Sequence, residues 1–279
     1  MVKKYRPYIL FFYAASVCAL IAGAFVDLKL DIWLNDPGDA FSVWLQNTGE
    51  MPSRLICPFA GTVLFYTCEK KWQKAAGFLI AIGGSAYFGY YVGKYFFVEQ
   101  YRMAFSLLWG VGFGLFVLLF ASKIRLSKDT AAALRTLAVA GIVVMAVQLC
   151  AIEGMKYLWG RVRFRDLLAA GSYDAFTPWY QINGINGNKS FPSGHTAGAA
   201  MSYLFMLLPY ASEKWRKRYV LLFAGPFVYT SAVAFTRLVV GAHYLSDVAM
   251  GGIVGFTTVL IAMAVLEKNG QKWHLLPAV

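Results

Sequence analysis

The chain has 279 residues, of which 59% are hydrophobic, 17% aromatic and only 14% charged, where soluble domains carry about 25% charged residues. That balance sets aside an ordinary soluble enzyme and places the chain in a bilayer. The net charge of +12 does not call for a nucleic-acid partner, because lysine and arginine flank long apolar runs, where they act as topology signals.

In chain order, Lys3, Lys4 and Arg6 precede an apolar run from Tyr8 to Val26, long enough to span a hydrocarbon core that needs about 20 residues. Ala22-Gly-Ala24 has the small-residue pattern of a signal-peptide cleavage site, but the expectation is a retained anchor helix. Asp27 to Ser53 mixes acids and amides with aromatic residues, which predicts a short amphipathic helix at the interface, broken at Asp36-Pro-Gly38. A second span is expected from Met51 to Cys68 and a third from Ala75 to Val98, with Gly83, Gly84, Gly89 and Gly93 suited to close helix contact. The fourth covers Met103 to Ser122 and the fifth Leu134 to Met155. Thr196 to Ala211, Tyr219 to Thr236 and Val248 to Leu266 complete about eight spans. The four cysteines, Cys18, Cys57, Cys68 and Cys150, all lie in apolar segments without metal-ligand spacing, and read as small buried or lipid-facing residues.

The fold class expected is therefore all-α, a polytopic transmembrane helical bundle. Basic residues concentrate at the N-terminus, in the loops around Lys70, Lys123 and Arg216, and in the C-terminal tail. Placing these inside puts both termini in the cytoplasm. The whole chain, 1–279, reads as one membrane domain, with N-terminal spans and the interfacial helix in 1–74 and a catalytic helical core in 75–279.

Three polar clusters interrupt the apolar sequence, and on this topology all of them fall on the non-cytoplasmic side. The first runs from Lys156 through Arg161 and Arg163 to Arg165. The second is Phe191-Pro-Ser193-Gly194-His195-Thr, and the third runs from Thr236 and Arg237 to His243 and Asp247. Two of the three histidines in the chain lie in these clusters. Basic side chains beside serine, glycine and histidine suit a phosphate better than a metal.

His243 and Asp247, spaced i, i+4 at a helix start, share one face, where a carboxylate can fix the imidazole tautomer and raise its basicity. The bland alternative is a polar pair at a helix end. Ser193 is a reasonable N-cap, leaving the Gly194 and His195 amides free at the positive end of a helix, with His195 at the rim to protonate a leaving group. Lys156, Arg163 and Arg237 supply positive charge for phosphate oxygens. Arg161 and Arg165 read as interface residues that snorkel.

Together the clusters resemble the type-2 phosphatidic acid phosphatase superfamily, whose signature is Lys-x6-Arg-Pro, Pro-Ser-Gly-His and Ser-Arg-x5-His-x3-Asp. Lys156-x6-Arg163, Pro192 to His195, and Arg237-x5-His243-x3-Asp247 match it. Phe164 stands where the pattern has proline, a change expected to loosen the Arg163 segment, and Thr236 stands where it has serine. The resemblance implies a membrane lipid phosphatase in which His243 is the nucleophile, oriented by Asp247, and His195 the general acid and then base. It also implies a phosphate cradle of Lys156, Arg163, Ser193, Gly194 and Arg237, with no metal and no cofactor.

The partners expected are a lipid phosphate substrate and membrane lipids. A polyprenyl diphosphate of the undecaprenyl type is placed first, beside phosphatidylglycerol-phosphate-like or phosphatidate-like lipids. The alternatives are a lipid phosphotransferase using the same histidine, and a non-catalytic lipid-binding or transport protein. The expected location is the cytoplasmic membrane with the site on its periplasmic or extracellular face.

Overall fold

The computed structural model describes residues 1–96, 98–270 and 275. Among these residues the chain is helical, with no strand. The helices are α1 (Val2–Leu34), α2 (Ala40–Thr48), α3 (Met51–Arg54), α4 (Ile56–Thr67), α5 (Lys71–Phe96) and, after a 3₁₀ turn at Glu99–Tyr101, α6 (Arg102–Ala121). The second half holds α7 (Lys128–Trp159), α8 (Phe164–Ala170), α9 (Gly194–Ala200), a 3₁₀ helix at Met201–Tyr210, α10 (Glu213–Arg216), α11 (Tyr219–Val239) and α12 (Leu245–Lys268). Among the described residues six segments are long and apolar enough to cross a membrane: α1, α5, α6 with its preceding turn, α7 through α8, α11 and α12.

Two of the expected spans take other forms. Met51 to Cys68 is split into α3, of 4 residues with Pro52 in its first turn, and α4, of 12. Twelve residues rise only about 18 Å, well short of the roughly 30 Å hydrocarbon core. Thr196 to Ala211 becomes the short α9 followed by the 10-residue 3₁₀ helix. Ala197, Ala199, Ala200, Met201, Tyr203 and Met206 are at most 1% exposed. This segment, apolar on every side, packs between α11 and α12 in the middle of the bundle.

The first helix also runs further than expected, through Leu34. Asp27 and Asp31 lie one turn apart on its buried face, 1% and 0% exposed, so this part of the polarity read as an interfacial helix belongs to the inner face of a long spanning helix. The chain does break at the expected place. Asp36 accepts the Gly38 amide at 3.1 Å, and Asp39 caps α2 through Ser42 N–H at 2.7 Å.

Small residues let helices meet closely. A Cβ on Gly89 would sit 2.2 Å from the Ser106 carbonyl, so α5 and α6 touch backbone to backbone there, as the glycine pattern predicted, whereas Gly83 faces open space. The central core is aromatic: Phe12, Tyr203, Phe223 and Phe256 join α1, the 3₁₀ helix, α11 and α12, with the Phe12 and Phe256 centroids 4.3 Å apart.

The start of α1 lies beside the end of α12, where the Met1 amino group is 2.5 Å from Glu267. The last turns of α1, α7 and α11 and the first turns of α9 and α12 gather at the opposite end. That end holds all three polar clusters.

Candidate active site

The first cluster begins where α7 is stopped by Gly160, whose φ of 51° lies in the left-handed region. The position is crowded as well, since a Cβ there would stand 2.1 Å from the Gly184 carbonyl oxygen. That contact comes from the loop that joins the first two clusters, which folds back over the helix end. The Asn183 and Gly184 amides donate to the Trp159 and Leu158 carbonyls, and the Asn186 side chain donates to the Gly160 carbonyl at 2.7 Å. Lys156, in the last turn, brings its Nζ within 3.0 Å of the place a Gly194 Cβ would take, and donates to Glu153 at 2.7 Å.

Arg163 is extended (φ −79°, ψ 151°) immediately before α8, and its Nη2 reaches the Lys189 carbonyl at 3.5 Å. Phe164 opens α8 with its ring 1% exposed among Leu167, Leu28 and Tyr244. The expected loosening at this position is not seen. A proline would demand this extended residue before it and suits a helix start. Phenylalanine reaches the same backbone and anchors it by burying a ring.

In the second cluster Ser193 caps α9 as predicted, its hydroxyl accepting Thr196 N–H at 3.3 Å. Its own N–H donates to the Asp247 carbonyl at 2.9 Å. Close approach of α12 depends on glycine at 251, where a Cβ would lie 2.4 Å from the Ser193 carbonyl. The Gly194 and His195 amides stand in the first turn of α9, ahead of its internal hydrogen bonds.

The third cluster turns tightly between α11 and α12, because the Arg237 carbonyl accepts the amides of both Ala242 and His243. Arg237 is 3% exposed and its Nη1 donates to Gln46 Oε1 at 3.2 Å. Thr236, in the serine position, turns its hydroxyl back to the Val233 carbonyl at 2.9 Å. His243 is buried, with Nδ1 3.5 Å from Asp247 Oδ2. That is an ion-pair separation, longer than a good hydrogen bond.

Asp247 is fully buried and heavily partnered. Its Oδ1 accepts from Arg161 Nη1 at 2.6 Å, and its Oδ2 accepts from Ser190 Oγ at 2.5 Å and from Tyr244 N–H at 3.1 Å. Arg161 is therefore no snorkelling residue. It is 0% exposed, stacks on Tyr244 at 4.1 Å, and donates to Asp27 Oδ2 at 2.9 Å, Ser246 Oγ at 2.8 Å and the Thr177 carbonyl at 2.8 Å. A guanidinium out of water needs this many partners. Arg165 is exposed.

His195 meets a partner that motif reasoning missed: its Nδ1 lies 3.1 Å from Glu50 Oε1, at the start of α3. Its Nε2 has no protein partner. Burial drives His195 well below the ordinary histidine value, to about 3; Glu50 opposes the shift, while Arg237 and His243 add to it. Burial likewise drives His243 to about 4, against the pull of Asp247 and with the push of Arg237 and Arg163. Both imidazoles are therefore neutral at neutral pH. Arg237, His195 and His243, from the second and third clusters, are close enough to act on one another electrostatically.

Glu50, Gln46, Asp27, Ser190 and Arg161 thus join the residues that the motifs identified. Only the Asp27/Asp31 pair left a signal, two acids one turn apart at the end of an apolar helix, which calls for a buried partner. A cavity of about 250 Å³ is lined by Glu50, Arg54, Glu153, Lys156 and Gly194, among others.

No curated protein and no solved structure matches the chain. The family model of the PAP2 superfamily matches residues 137–271, the stretch that carries Lys156, Arg163, the Pro192–His195 turn, Arg237, His243 and Asp247. The fold brings those residues to one end of the bundle, and residues 137–271 belong to the PAP2 superfamily.

Proposed function

We propose that the chain is a lipid phosphate or diphosphate phosphatase that works through a phosphohistidine on His243 and needs no metal ion. The superfamily and the six apolar helices make it a membrane protein of a phosphatase superfamily. The observation that carries the finer reading is the buried His243–Asp247 pair, set among Arg163 and Arg237 and near a second imidazole whose Nε2 is free.

The chemistry follows from that arrangement. Asp247 takes the Nδ1–H side of His243, leaving the Nε2 lone pair for phosphorus. As the P–N bond forms, the bond from phosphorus to the leaving oxygen breaks, and His195 passes that oxygen a proton. Lys156, Arg163, Arg237 and the amides around Gly194 stabilise charge on the remaining phosphoryl oxygens. Water deprotonated by His195 then attacks phosphorus, which frees phosphate and restores His243.

A polyprenyl diphosphate comes first among substrates by family analogy, ahead of phosphatidylglycerol-phosphate-like lipids. The distribution of basic residues supports a site on the outer face of the cytoplasmic membrane.

The test is phosphate release by the purified protein across a panel of these lipids, with and without EDTA and vanadate. Wild type should turn over at least one of them, unaffected by EDTA and inhibited by vanadate, and His243→Ala should abolish release while remaining folded. Activity of the variant within about tenfold of wild type, about 1.4 kcal/mol of barrier, would remove His243 from the role.

A further inference from the structure

Glu50 lies far from the three motifs and outside residues 137–271, yet it is built into the site. It is 8% exposed, and its two carboxylate oxygens have separate partners. Oε1 faces His195 Nδ1 at 3.1 Å, and Oε2 takes a short contact from Arg54 Nη2, one turn along α3. Arg54 is held in turn by α5: it donates to Tyr87 OH at 2.6 Å and sits 5.1 and 5.2 Å over the Tyr87 and Tyr91 rings.

The backbone under Glu50 is fixed as well. A Cβ on Gly49 would lie 2.9 Å from a Val233 methyl group of α11, and Tyr229 OH donates to the Gly49 carbonyl at 3.1 Å. The carboxylate is thus clamped between α5 and α11. Burial pushes Glu50 up, but His195, Arg54 and Lys156 outweigh it and hold the carboxyl below its usual range, so it is charged.

The geometry repeats that of the other histidine. Asp247 sits behind His243 Nδ1, and Glu50 sits behind His195 Nδ1. At His195 the opposite ring nitrogen, Nε2, has no protein partner. We propose that Glu50 is the positioning residue for His195: it fixes the ring with Nε2 toward the leaving oxygen and stabilises the imidazolium that must donate there. This rests on the reading of His195 as the leaving-group acid. During the step Nε2–H passes to the leaving oxygen as the P–O bond breaks, and the imidazole returns to neutral with its Nδ1–H still on Glu50.

The charged groups around His195 give the direction of the pH effect. Arg54 on α3, Lys156 on α7, Arg237 on α11 and His243 beyond it are basic, and Glu50 is the acid in contact. Removing its charge disfavours the imidazolium, so activity should fade at a lower pH on the alkaline side.

The experiment uses the full chain in lipid nanodiscs with Glu50→Gln and Glu50→Asp. Two leaving groups are compared: the alkyl oxygen of a phosphatidate-type lipid, which must be protonated, and p-nitrophenyl phosphate, whose phenolate leaves without a proton. Because kcat/KM reports the step up to the phosphohistidine, Glu50→Gln should lose at least tenfold more kcat/KM on the alkyl than on the aryl substrate. That fits the roughly 10² to 10⁴ that general acids contribute. Glu50→Asp should recover part of it, and Glu50→Gln should add little in a His195→Asn background. Equal losses on both substrates, or none, would overturn the proposal.

A second readout needs no turnover. The chain has three histidines, so ¹⁵N-imidazole spectra are tractable, with His195 assigned by its loss in His195→Asn. Glu50→Gln should move the His195 titration to lower pH, and an unchanged titration would overturn the proposal. If wild type releases phosphate from neither substrate, the phosphatase reading fails, and the spectra still decide whether Glu50 acts on His195.

Discussion

A buried guanidinium shared by two carboxylates is the most exposed point of this design to mutation. Arg161 holds Asp247 on one nitrogen and Asp27 on another, all three nearly or fully out of water. Removing one member of such a set leaves uncompensated charge, which costs ~3–5 kcal/mol. Arg161→Leu should therefore lower the unfolding midpoint in a detergent thermal melt and also abolish turnover. A variant that melts with wild type would mean the network is not what holds Asp247. The two histidines set a pH dependence of stability. Folding depresses His195 to about 3 and His243 to about 4, so between those values and the unfolded value of about 6.5 the unfolded chain binds more protons. Their contribution is complete above pH ~6.5 and is lost as pH falls toward 4 and below. Melting of the ligand-free protein should drop across that window, and vanadate should oppose the drop by favouring the charged imidazoles. A midpoint that rises on acidification to pH 5 would contradict these environments.

At the scale of single elements, the short α8 and the stop of α7 set where the first cluster points. Restoring the pattern's proline at 164 should not improve the protein. The backbone accepts proline there, but the change empties a site 1% exposed, and loss of a large buried side chain costs ~3–5 kcal/mol. Phe164→Pro should lower the melting midpoint by several degrees, and no change would show that the ring adds nothing. Gly160 carries a different constraint, a left-handed φ and a carbonyl 2.1 Å from any added Cβ. Gly160→Ala should displace the loop at 183–186 from the end of α7, and with it the spacing between Lys156 and Arg163. Phosphate affinity and stability should fall together, by roughly 1–3 kcal/mol for the backbone strain alone. Limited proteolysis in that loop checks it directly.

For the whole molecule, the face of the membrane that holds the site decides which lipid pool it meets. The site end of the bundle is opposite the Met1–Glu267 contact, so one labelling experiment orients everything. With the native cysteines replaced, Cys18 and Cys150 being exposed, a cysteine at exposed Ser172 reports the site end and one at exposed Lys214 the other. An impermeant thiol reagent on intact cells should modify the first and spare the second. The opposite pattern would put the site inside and remove the outer-leaflet lipids from the substrate panel.

The sequence by itself determined the all-helical membrane character, the longest spans, the break at Asp36-Pro-Gly38 and the residues of the three clusters. These rest on local information: apolar run length, capping residues and fixed motif spacing. Only the tertiary structure decided that Met51 to Cys68 is divided into two short helices and that Thr196 to Ala211 packs in the middle of the bundle, because an apolar stretch facing a protein core looks like one facing lipid. It likewise decided that Arg161 lies behind Asp247 with Asp27, and that Glu50 lies behind His195. Asp27 is 134 residues from Arg161, and a partner at that distance leaves no periodic trace in the chain. Buried charges are paired by the packing of distant helices, so the supporting residues of the site become visible only once α1, α3, α7, α9 and α12 are brought to the same end.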